Sequence, residues 1–173
     1  MKKLARLTAL LLTCALLLVL TACGAVVEPE TEQQAKQQIL TAINECRRQN
    51  GAKAVKEISE LSNAEQFWVE MFRKEGDYKI LSSKSDPVYE EYEKMLPAGW
   101  DDGPNFGWDS SRLSDGQFYD FLETTAPSDT AALMQLFDAW DDFNDDSYTA
   151  VGIGVTTIKG KIYWACTLYA PKD

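Results

Sequence analysis

The sequence predicts an α+β domain, in the form of an α/β/α sandwich around an antiparallel central sheet. Amphipathic helical patterns occupy 32–50 and 62–76, and a β-hairpin pattern occupies 151–169 near the end of the chain. The second hairpin strand, 161–169, is apolar on both faces. Such a strand must be covered on both faces, and the preceding helices can supply both covers.

The first helix is predicted over 32–50. Thr31 and Gln34 stand at the two positions of a capping box, in which each side chain bonds the backbone N–H of the other residue. Asn50-Gly51 can end the helix in a left-handed conformation. The apolar stripe between these ends consists of Ile39, Ala42, Ile43 and Cys46.

The second helix is predicted to begin at Ser62 and to end at Gly76. Ser62 and Glu65 have the spacing of another capping box. The apolar side consists of Ala64, Phe67, Trp68, Met71 and Phe72. An aromatic stripe at helical spacing is more often part of the core than a ligand cage, so we expect it to face the sheet.

The middle of the chain is less regular. We expect a short helix over 88–95, an ordered loop over 97–111, and helices over 115–123 and 129–143. The loop combines carboxylates with Trp100, Phe106 and Trp108. Such a mixture can bind sugars or cationic peptides, or its aromatic side chains can pin the loop to the domain.

The hairpin pattern also fixes a register. If Lys159-Gly160 form the turn, residues paired across the two strands have numbers that sum to 319. Ile153 is then opposite Cys166, and Val155 is opposite Trp164.

The first 22 residues have the pattern of a secretory signal. Positive charges precede an apolar run from Leu7 to Leu20, which is short for a membrane span. Residues 20–24, Leu-Thr-Ala-Cys-Gly, have the form of a bacterial lipobox. We therefore expect cleavage before Cys23, a lipid on Cys23, a tether over 23–30 and one domain over 31–173. An ordinary signal peptide and an uncleaved anchor helix are the alternatives.

Composition excludes several classes of function. Removal of 1–22 takes away three of the 17 basic residues, which leaves 14 against 27 acidic residues and a net charge of −13. A surface so acidic repels nucleic acid. The chain contains no histidine, so Ser-His-Asp and Cys-His catalysis are impossible, and acid–base chemistry would depend on Asp, Glu, Lys or Tyr.

Two cysteines remain in the predicted domain. Cys46 lies on the stripe of the first helix, and Cys166 lies on the more apolar face of the hairpin. If that helix covers that face, the two can meet. The sequence leaves open a disulfide, which suits an exported protein, and two buried thiols.

Three stretches of the chain resemble the CAP superfamily (cysteine-rich secretory, antigen 5 and pathogenesis-related proteins). In 39–51, an apolar stripe is followed by Asn44, Arg47 and Gly51, as in the opening helix of that family. Residues 139–155 and 161–169 resemble its tryptophan helix and its closing strands. Residues 103–107, Gly-Pro-Asn-Phe-Gly, resemble a divergent form of its Gly-Glu-Asn-Ile-Ala motif.

The resemblance implies the fold of the family without its best-known site. Members often hold two His and two Glu in a central cleft, where these residues can bind a divalent metal. The corresponding positions here are Lys84, Pro104, Phe143 and Asp145 or Asp146. No catalytic residue, metal or other cofactor is therefore expected from the resemblance.

Two groups of acidic residues are candidates for a calcium site and for a glycosidase site. Asp142, Asn144 and Asp146 alternate as in a calcium-binding loop, but Ser147 replaces the glycine of such a loop and Ile153 its bidentate glutamate, so a solvated acidic helix end is favoured. The second group consists of Asp101, Asp102 and Asp109, from which the paired carboxylates of a glycosidase could be drawn.

Taken together, these patterns predict a non-catalytic binding or interaction module. It would be anchored to the membrane through its lipid and would bind an unidentified lipid, glycan or protein of the cell envelope. A carboxylate-based hydrolase acting on cell-wall material and a purely structural envelope lipoprotein are the alternatives.

Overall fold

A computed structural model describes residues 31–83, 87–113 and 117–172. The described residues form a mixed α+β domain. Its helices are α1 (Glu32–Gln49), α2 (Ser59–Glu75), α3 (Pro87–Met95), α4 (Thr130–Asp138) and a 3-10 helix (Asp141–Asn144). Its strands are β1 (Lys56–Glu57), β2 (Lys79–Ser83), β3 (Trp100–Phe106), β4 (Asp109–Arg112), β5 (Gln117–Phe121), β6 (Ala150–Ile158) and β7 (Lys161–Pro171).

The C-terminal hairpin organises the larger sheet, whose strand order is β1-β6-β7-β3. The predicted register is confirmed, since Ile153 pairs with Cys166 and Val155 pairs with Trp164. Lys159 and Gly160 have φ values of 51° and 76°. Two successive left-handed residues make the tight turn whose twist matches that of the flanking strands.

The prediction that the sheet is antiparallel throughout was wrong at one edge. β1 pairs with β6 in parallel, with Lys56 opposite Ala150 and Glu57 opposite Val151. Because α1 and α2 pack on opposite faces of the sheet, the segment between them must pass around its edge. There it runs beside the start of β6 and pairs with it over two residues.

Helices cover both faces of the hairpin. On one face α1, α4 and the 3-10 helix pack against alternate residues of β6 and β7, including Ile153 and Cys166. On the other face α2 and α3 pack against residues that include Ala165 and Tyr163. Within the described residues, no helix combines the length and apolarity that a membrane crossing requires.

Two glycines let α2 lie directly on β6. A Cβ atom on Gly152 would come 2.8 Å from the carbonyl oxygen of Leu61, and one on Gly154 would come 2.3 Å from that of Glu65. Real Cβ atoms do not approach a carbonyl oxygen so closely. The absence of side chains at these positions therefore sets the distance between helix and strand.

The first helix was predicted correctly at both ends. Thr31 and Gln34 form the capping box, and Gly51 has a left-handed φ of 79° after the helix. The second helix was predicted to begin too late, because α2 begins at Ser59 and Ser62 lies inside it. Its predicted end at Gly76 is confirmed.

Ser62 and Gln66 serve the sheet instead of capping α2. The hydroxyl of Ser62 accepts a hydrogen bond from the backbone N–H of Ile153 (3.1 Å). The side-chain amide of Gln66 bonds both the N–H and the C=O of Val155, at 3.1 and 3.0 Å. Side chains of α2 therefore take over the pairing of β6 beyond the end of β1.

Several predictions for the middle of the chain were wrong. The helix predicted at 115–123 is strand β5 over its described part, and the loop predicted at 97–111 contains β3 and β4. β2, β5 and β4 form a second sheet in that order. The short helix predicted over 88–95 is present as α3 (Pro87–Met95). The helix predicted over 129–143 is α4, capped by Asp129, followed by the separate 3-10 helix.

Candidate functional site

A glutamate lies inside the domain between α2 and the larger sheet. Glu65 is 0% exposed. Its Oε1 accepts hydrogen bonds from the hydroxyls of Tyr92 (3.0 Å) and Tyr169 (2.9 Å), and its Oε2 accepts one from the indole N–H of Trp108 (2.9 Å). Thr167 also bonds this carboxyl group. α2, α3, β7 and the residue directly before β4 thus converge on one side chain.

The number of protons in this cluster favours a neutral Glu65. The hydroxyl oxygens of Tyr92 and Tyr169 are 3.1 Å apart, so these two oxygens and Oε1 form a triangle with three hydrogen-bond contacts. An ionised Glu65 leaves only the two tyrosine protons for the three contacts. The neutral acid supplies the third proton, and each contact then has its own donor.

Burial acts on the charge of Glu65 in the same direction. Desolvation raises the pKa of Glu65, and the bonds from Trp108, Thr167, Tyr169 and Tyr92 oppose this rise without cancelling it. Desolvation and the neighbouring Glu65 also raise the pKa of Tyr92 and the pKa of Tyr169. The cluster therefore holds its protons more firmly than the same groups would in water.

Aromatic rings close this cluster on the side away from the sheet. The ring of Trp108 stacks on that of Trp68, with 3.8 Å between centroids and an interplanar angle of 8°. The indole N–H of Trp68 donates to the carbonyl of Gly107 (3.0 Å). Trp108 and Phe106 are thus anchored in the domain, as in the sequence-based alternative in which the aromatic residues pin this segment.

An open groove lies on the far side of Trp68. It has a volume of about 510 Å³ and runs between the C-terminal half of α2, the strand β2 and the start of α3. Asp120 is buried at 1% exposure in the wall of the groove and accepts a hydrogen bond from the hydroxyl of Tyr89. The lining residues are Trp68, Met71, Lys74, Glu75, Asp77, Lys79, Ile80, Leu81, Val88 and Asp120.

A second, larger cavity of about 720 Å³ lies between the start of α1 and the tip of the hairpin. The parallel rings of Tyr78 and Tyr163, with centroids 5.1 Å apart, form part of its wall. None of the buried polar or charged residues of the described structure lines it. The Trp68 groove has such a residue in Asp120, and it is therefore the better candidate for specific binding.

The three described positions of the cleft expected from the CAP resemblance lie in different surroundings. Phe143 is fully buried and stacks on Phe137, with 4.8 Å between ring centroids. Asp146 is at the surface, where it accepts a hydrogen bond from the backbone N–H of Lys53 and pairs with the ammonium group of that residue (3.5 Å). Pro104 lies at an irregularity of β3, and Lys84 is outside the described residues.

The two polar residues that carry the resemblance in the opening helix, Asn44 and Arg47, have structural partners. Asn44 bonds both the C=O and the N–H of Val55 through its side-chain amide. Arg47 is 0% exposed and donates to backbone carbonyl groups, which belong to Lys53, Phe143, Asp145 and Tyr148. Both residues therefore hold the C-terminal end of α1 to the surrounding segments.

The residues predicted as candidates for glycoside hydrolysis are divided between the two sheets. Asp101 and Asp102 are successive residues of β3 and so point to opposite faces. Asp101 forms an ion pair with Lys172 (3.5 Å). Asp109 begins β4, which belongs to the other sheet.

The calcium candidate does not form a ligand set in the structure. Asp142 and Asn144 lie in the 3-10 helix, whereas the carboxylate of Asp146 is engaged by Lys53. Among the described residues, no group of three or more His, Cys, Asp or Glu is arranged to hold a metal ion.

The cysteines of the domain lie in one core cluster. Cys46 and Cys166 are both buried, and the structure has them as free thiols instead of a disulfide. Desolvation raises the pKa of Cys46 and raises the pKa of Cys166 well above its usual range. Cys23, the predicted lipid attachment residue, and the predicted signal segment 1–22 lie outside the described residues.

Sequence reasoning missed the central residue of the buried cluster. Glu65 was interpreted as a helix cap because it follows Ser62 by three residues. The helical stripe contained a usable signal, since Glu65 lies between Leu61 and Trp68–Val69, which are all buried. An acidic residue on the apolar side of a helix requires hydrogen-bond donors from elsewhere in the fold.

None of the protein-family models, curated proteins or solved structures with which the chain was compared matches it.

Proposed function

We propose that this protein is an exported, lipid-anchored binding module with a CAP-like α/β/α fold, and that it holds its ligand in the Trp68 groove. The proposal rests on one observation, the contrast between the buried Glu65 and the open groove beside Trp68. The acid of the domain interior, Glu65, is enclosed by protein, whereas the groove beside Trp68 is open and lined by apolar, aromatic and charged side chains.

The CAP-like assignment is supported by the arrangement of the layers. α1 and α4 lie on one face of the hairpin, and α2 and α3 lie on the other. Asn44 and Arg47, which carry the resemblance in the opening helix, both have well-defined partners. The parallel pairing of β1 with β6 is a departure from a purely antiparallel CAP-like sheet.

A binding role is favoured over catalysis by the position of the unusual acid. A general acid or base must reach the proton that it transfers in the substrate. Glu65 has no exposed surface and is engaged by three side-chain donors from Tyr92, Trp108 and Tyr169. The hydrogen bonds of Glu65 can stabilise the wall of the groove, but its carboxyl group cannot contact a ligand bound there.

The groove proposal can be tested by direct binding. Lipid, glycan and protein fractions of the cell envelope would be titrated into the purified full-length protein while its tryptophan emission is followed. Because Trp68 lines the groove, a ligand that enters should change the emission in a saturable way. Met71→Asp places a charge in the groove wall and should abolish the change, whereas Met95→Asp, the same substitution outside the groove, should not.

A fraction that binds equally to both variants would place the ligand elsewhere. Absence of a saturable ligand in all three fractions would favour the purely structural lipoprotein. Hydrolysis of wall material that is lost in Asp101→Asn or Asp102→Asn would favour the carboxylate-based hydrolase.

The proposed lipid anchor can be tested by membrane fractionation and by the mass of the protein. Wild-type protein expressed in a bacterial host should be found in the membrane fraction, with the mass of the chain from Cys23 plus its acyl chains. Cys23→Ala should leave the protein unlipidated and release it from that fraction, because no second anchor is proposed. A wild-type product with the unmodified chain mass of 19.4 kDa would contradict lipidation.

A further inference from the structure

One edge of the smaller sheet is exposed along the groove. In the order β2-β5-β4, β2 pairs only with β5 among the described strands. The carbonyl of Tyr78 accepts a hydrogen bond from the N–H of Leu122, which fixes the alternation along the ladder. The backbone groups of Tyr78 and Ile80 then face β5, and those of Lys79 and Leu81 face outward.

The outward backbone groups of Lys79 and Leu81 have no backbone hydrogen-bond partner within the described residues. Leu81 is 47% exposed, and Lys79 is also exposed. The edge has few of the features with which proteins usually block strand addition. β2 contains no proline, and Lys79 is its only charged residue.

The groove supplies a wall opposite this edge. Met71, Lys74 and Glu75 of α2 line one side of it, and β2 lines the other side. Trp68 and Ile80 give it apolar surface. A groove between a helix and the unpaired edge of a strand can accept an extended peptide, because the strand supplies backbone hydrogen bonds and the helix supplies side-chain contacts.

The charges of the groove favour a positively charged peptide. Its acids are Glu75, Asp77 and Asp120, and its bases are Lys74 and Lys79. The ammonium group of Lys79 is 4.0 Å from the ring centroid of Tyr119 and 4.8 Å from that of Phe121, on the face of the sheet opposite Asp120.

Lys79 is thus drawn over aromatic rings, which leaves one base against three acids in the rest of the groove lining. Among the ion pairs of the described residues, none includes Glu75 or Asp77. A basic ligand complements this charge, and the acidity of the whole chain would attract it as well.

We propose that the Trp68 groove binds an extended segment of a partner protein that carries both apolar and basic residues, and that this segment adds to β2 as a further strand. The proposal rests on the proposed function, since it names the class of ligand that the groove takes. The backbone of the segment would bond Lys79 and Leu81, and its apolar side chains would pack on Trp68 and Ile80.

A defined probe tests the backbone contribution. A fluorescent hexapeptide of the order Val-Val-Lys-Lys-Val-Val, which presents both residue types on each face of a strand and is blocked at both ends, would be titrated with the purified full-length protein near physiological salt. The matched control is the same peptide methylated at its internal backbone nitrogens, which keeps the charges and side chains but lacks the N–H donors. We expect the methylated peptide to bind at least fivefold more weakly, or about 1 kcal/mol, at 1.4 kcal/mol per factor of ten.

Two variants of Leu81 test the backbone contribution of the protein. Leu81→Pro removes an N–H that faces away from β5, so the ladder of the smaller sheet is kept. Leu81→Ala removes the side chain and keeps that N–H. We expect Leu81→Pro to weaken binding at least fivefold relative to Leu81→Ala, with unchanged circular dichroism in both variants.

The remaining outcomes would overturn the proposal. They are equal affinity of the methylated and unmethylated peptides, no effect of Leu81→Pro, tighter binding of a valine–glutamate peptide, and dimerisation of the wild type that Leu81→Pro abolishes. Binding that appears only after deletion of residues 24–30 would identify that segment as the occupant. If the peptide fails while Met71→Asp still abolishes binding of an envelope lipid or glycan, the proposed function stands and this inference falls.

Discussion

The hydroxyl oxygens of Tyr92 and Tyr169 lie 3.1 Å apart, although the two residues are 77 positions apart in the chain. Both also contact Oε1 of Glu65. All three contacts among these oxygen atoms can be hydrogen bonds only if three protons are present, and the ionised glutamate leaves only two. The burial of this triangle makes its proton content a property of the folded state, which gives the first prediction.

The free energy of unfolding should fall as the pH rises from 5 to 8. The pKa of Glu65 is raised above its usual value of 4.5, so the folded state binds this proton more tightly than the unfolded chain does. The resulting stabilisation is complete below the unfolded pKa and is lost as the pH rises through the folded pKa. The limiting slope is about 1.4 kcal/mol per pH unit, and urea unfolding at each pH measures it.

Glu65→Gln should remove this pH dependence. The amide resembles the neutral acid, since its NH₂ group can face the tyrosines while its oxygen accepts from Trp108. Glu91→Gln, at an exposed residue of α3, should keep the slope of the wild type. A wild-type stability that is constant or rises over this range would mean that Glu65 is ionised in the folded protein.

Gly154→Ala should destabilise the domain by about 3 kcal/mol. The new Cβ atom would lie 2.3 Å from the carbonyl oxygen of Glu65, and neither the helix nor the central strand can yield without losing contacts. Gly99→Ala is the matched control, because a Cβ there meets nothing within 4 Å. Thermal unfolding should separate the two variants, and similar midpoints would contradict the close packing of α2 on β6.

Arg47→Lys should cost about 3 kcal/mol even though the charge is kept. A lysine cannot reach the carbonyls of Lys53, Phe143, Asp145 and Tyr148 together, so buried acceptors lose their donor. Arg48→Lys affects only an exposed pair with Glu45 and should leave the unfolding midpoint almost unchanged. Denaturant unfolding of both variants measures the difference, and equal midpoints would argue against the role of Arg47.

Thiol labelling should find Cys46 and Cys166 unreactive in the native protein and both reactive after unfolding. Both are buried free thiols, and their raised pKa values keep them protonated. Thiol labelling without reductant, followed by mass spectrometry of peptides, gives the number of labelled cysteines and identifies them. A mass two hydrogen atoms lower, with no labelling of these two residues after unfolding, would show that they form a disulfide.

Local signals in the sequence predicted the parts of the fold that depend on residues close together in the chain. Thr31 and Gln34 fix the start of α1 within one helical turn, and Gly76 ends α2 in a left-handed conformation. Lys159 and Gly160 close a two-residue turn, and one turn sets the register of the whole hairpin.

The strands β3 and β5 lacked such signals. β3 contains Gly103 and Pro104, which weaken any strand pattern, and it forms because β7 supplies hydrogen bonds from a distant part of the chain. β5 was predicted as a helix for the same reason, since its pairing with β2 and β4 cannot be seen in its own residues.

The lipobox-like pattern around Cys23, the lack of histidine and the acidity of the chain are properties of the sequence alone, and so are the capping box of α1 and the register of the hairpin. The role of Glu65 was decided by the tertiary structure. Its hydrogen-bond donors Tyr92, Trp108 and Tyr169 lie 27, 43 and 104 residues further along the chain. A buried carboxyl group is tolerated only where its donors converge, and folding alone brings these three side chains together.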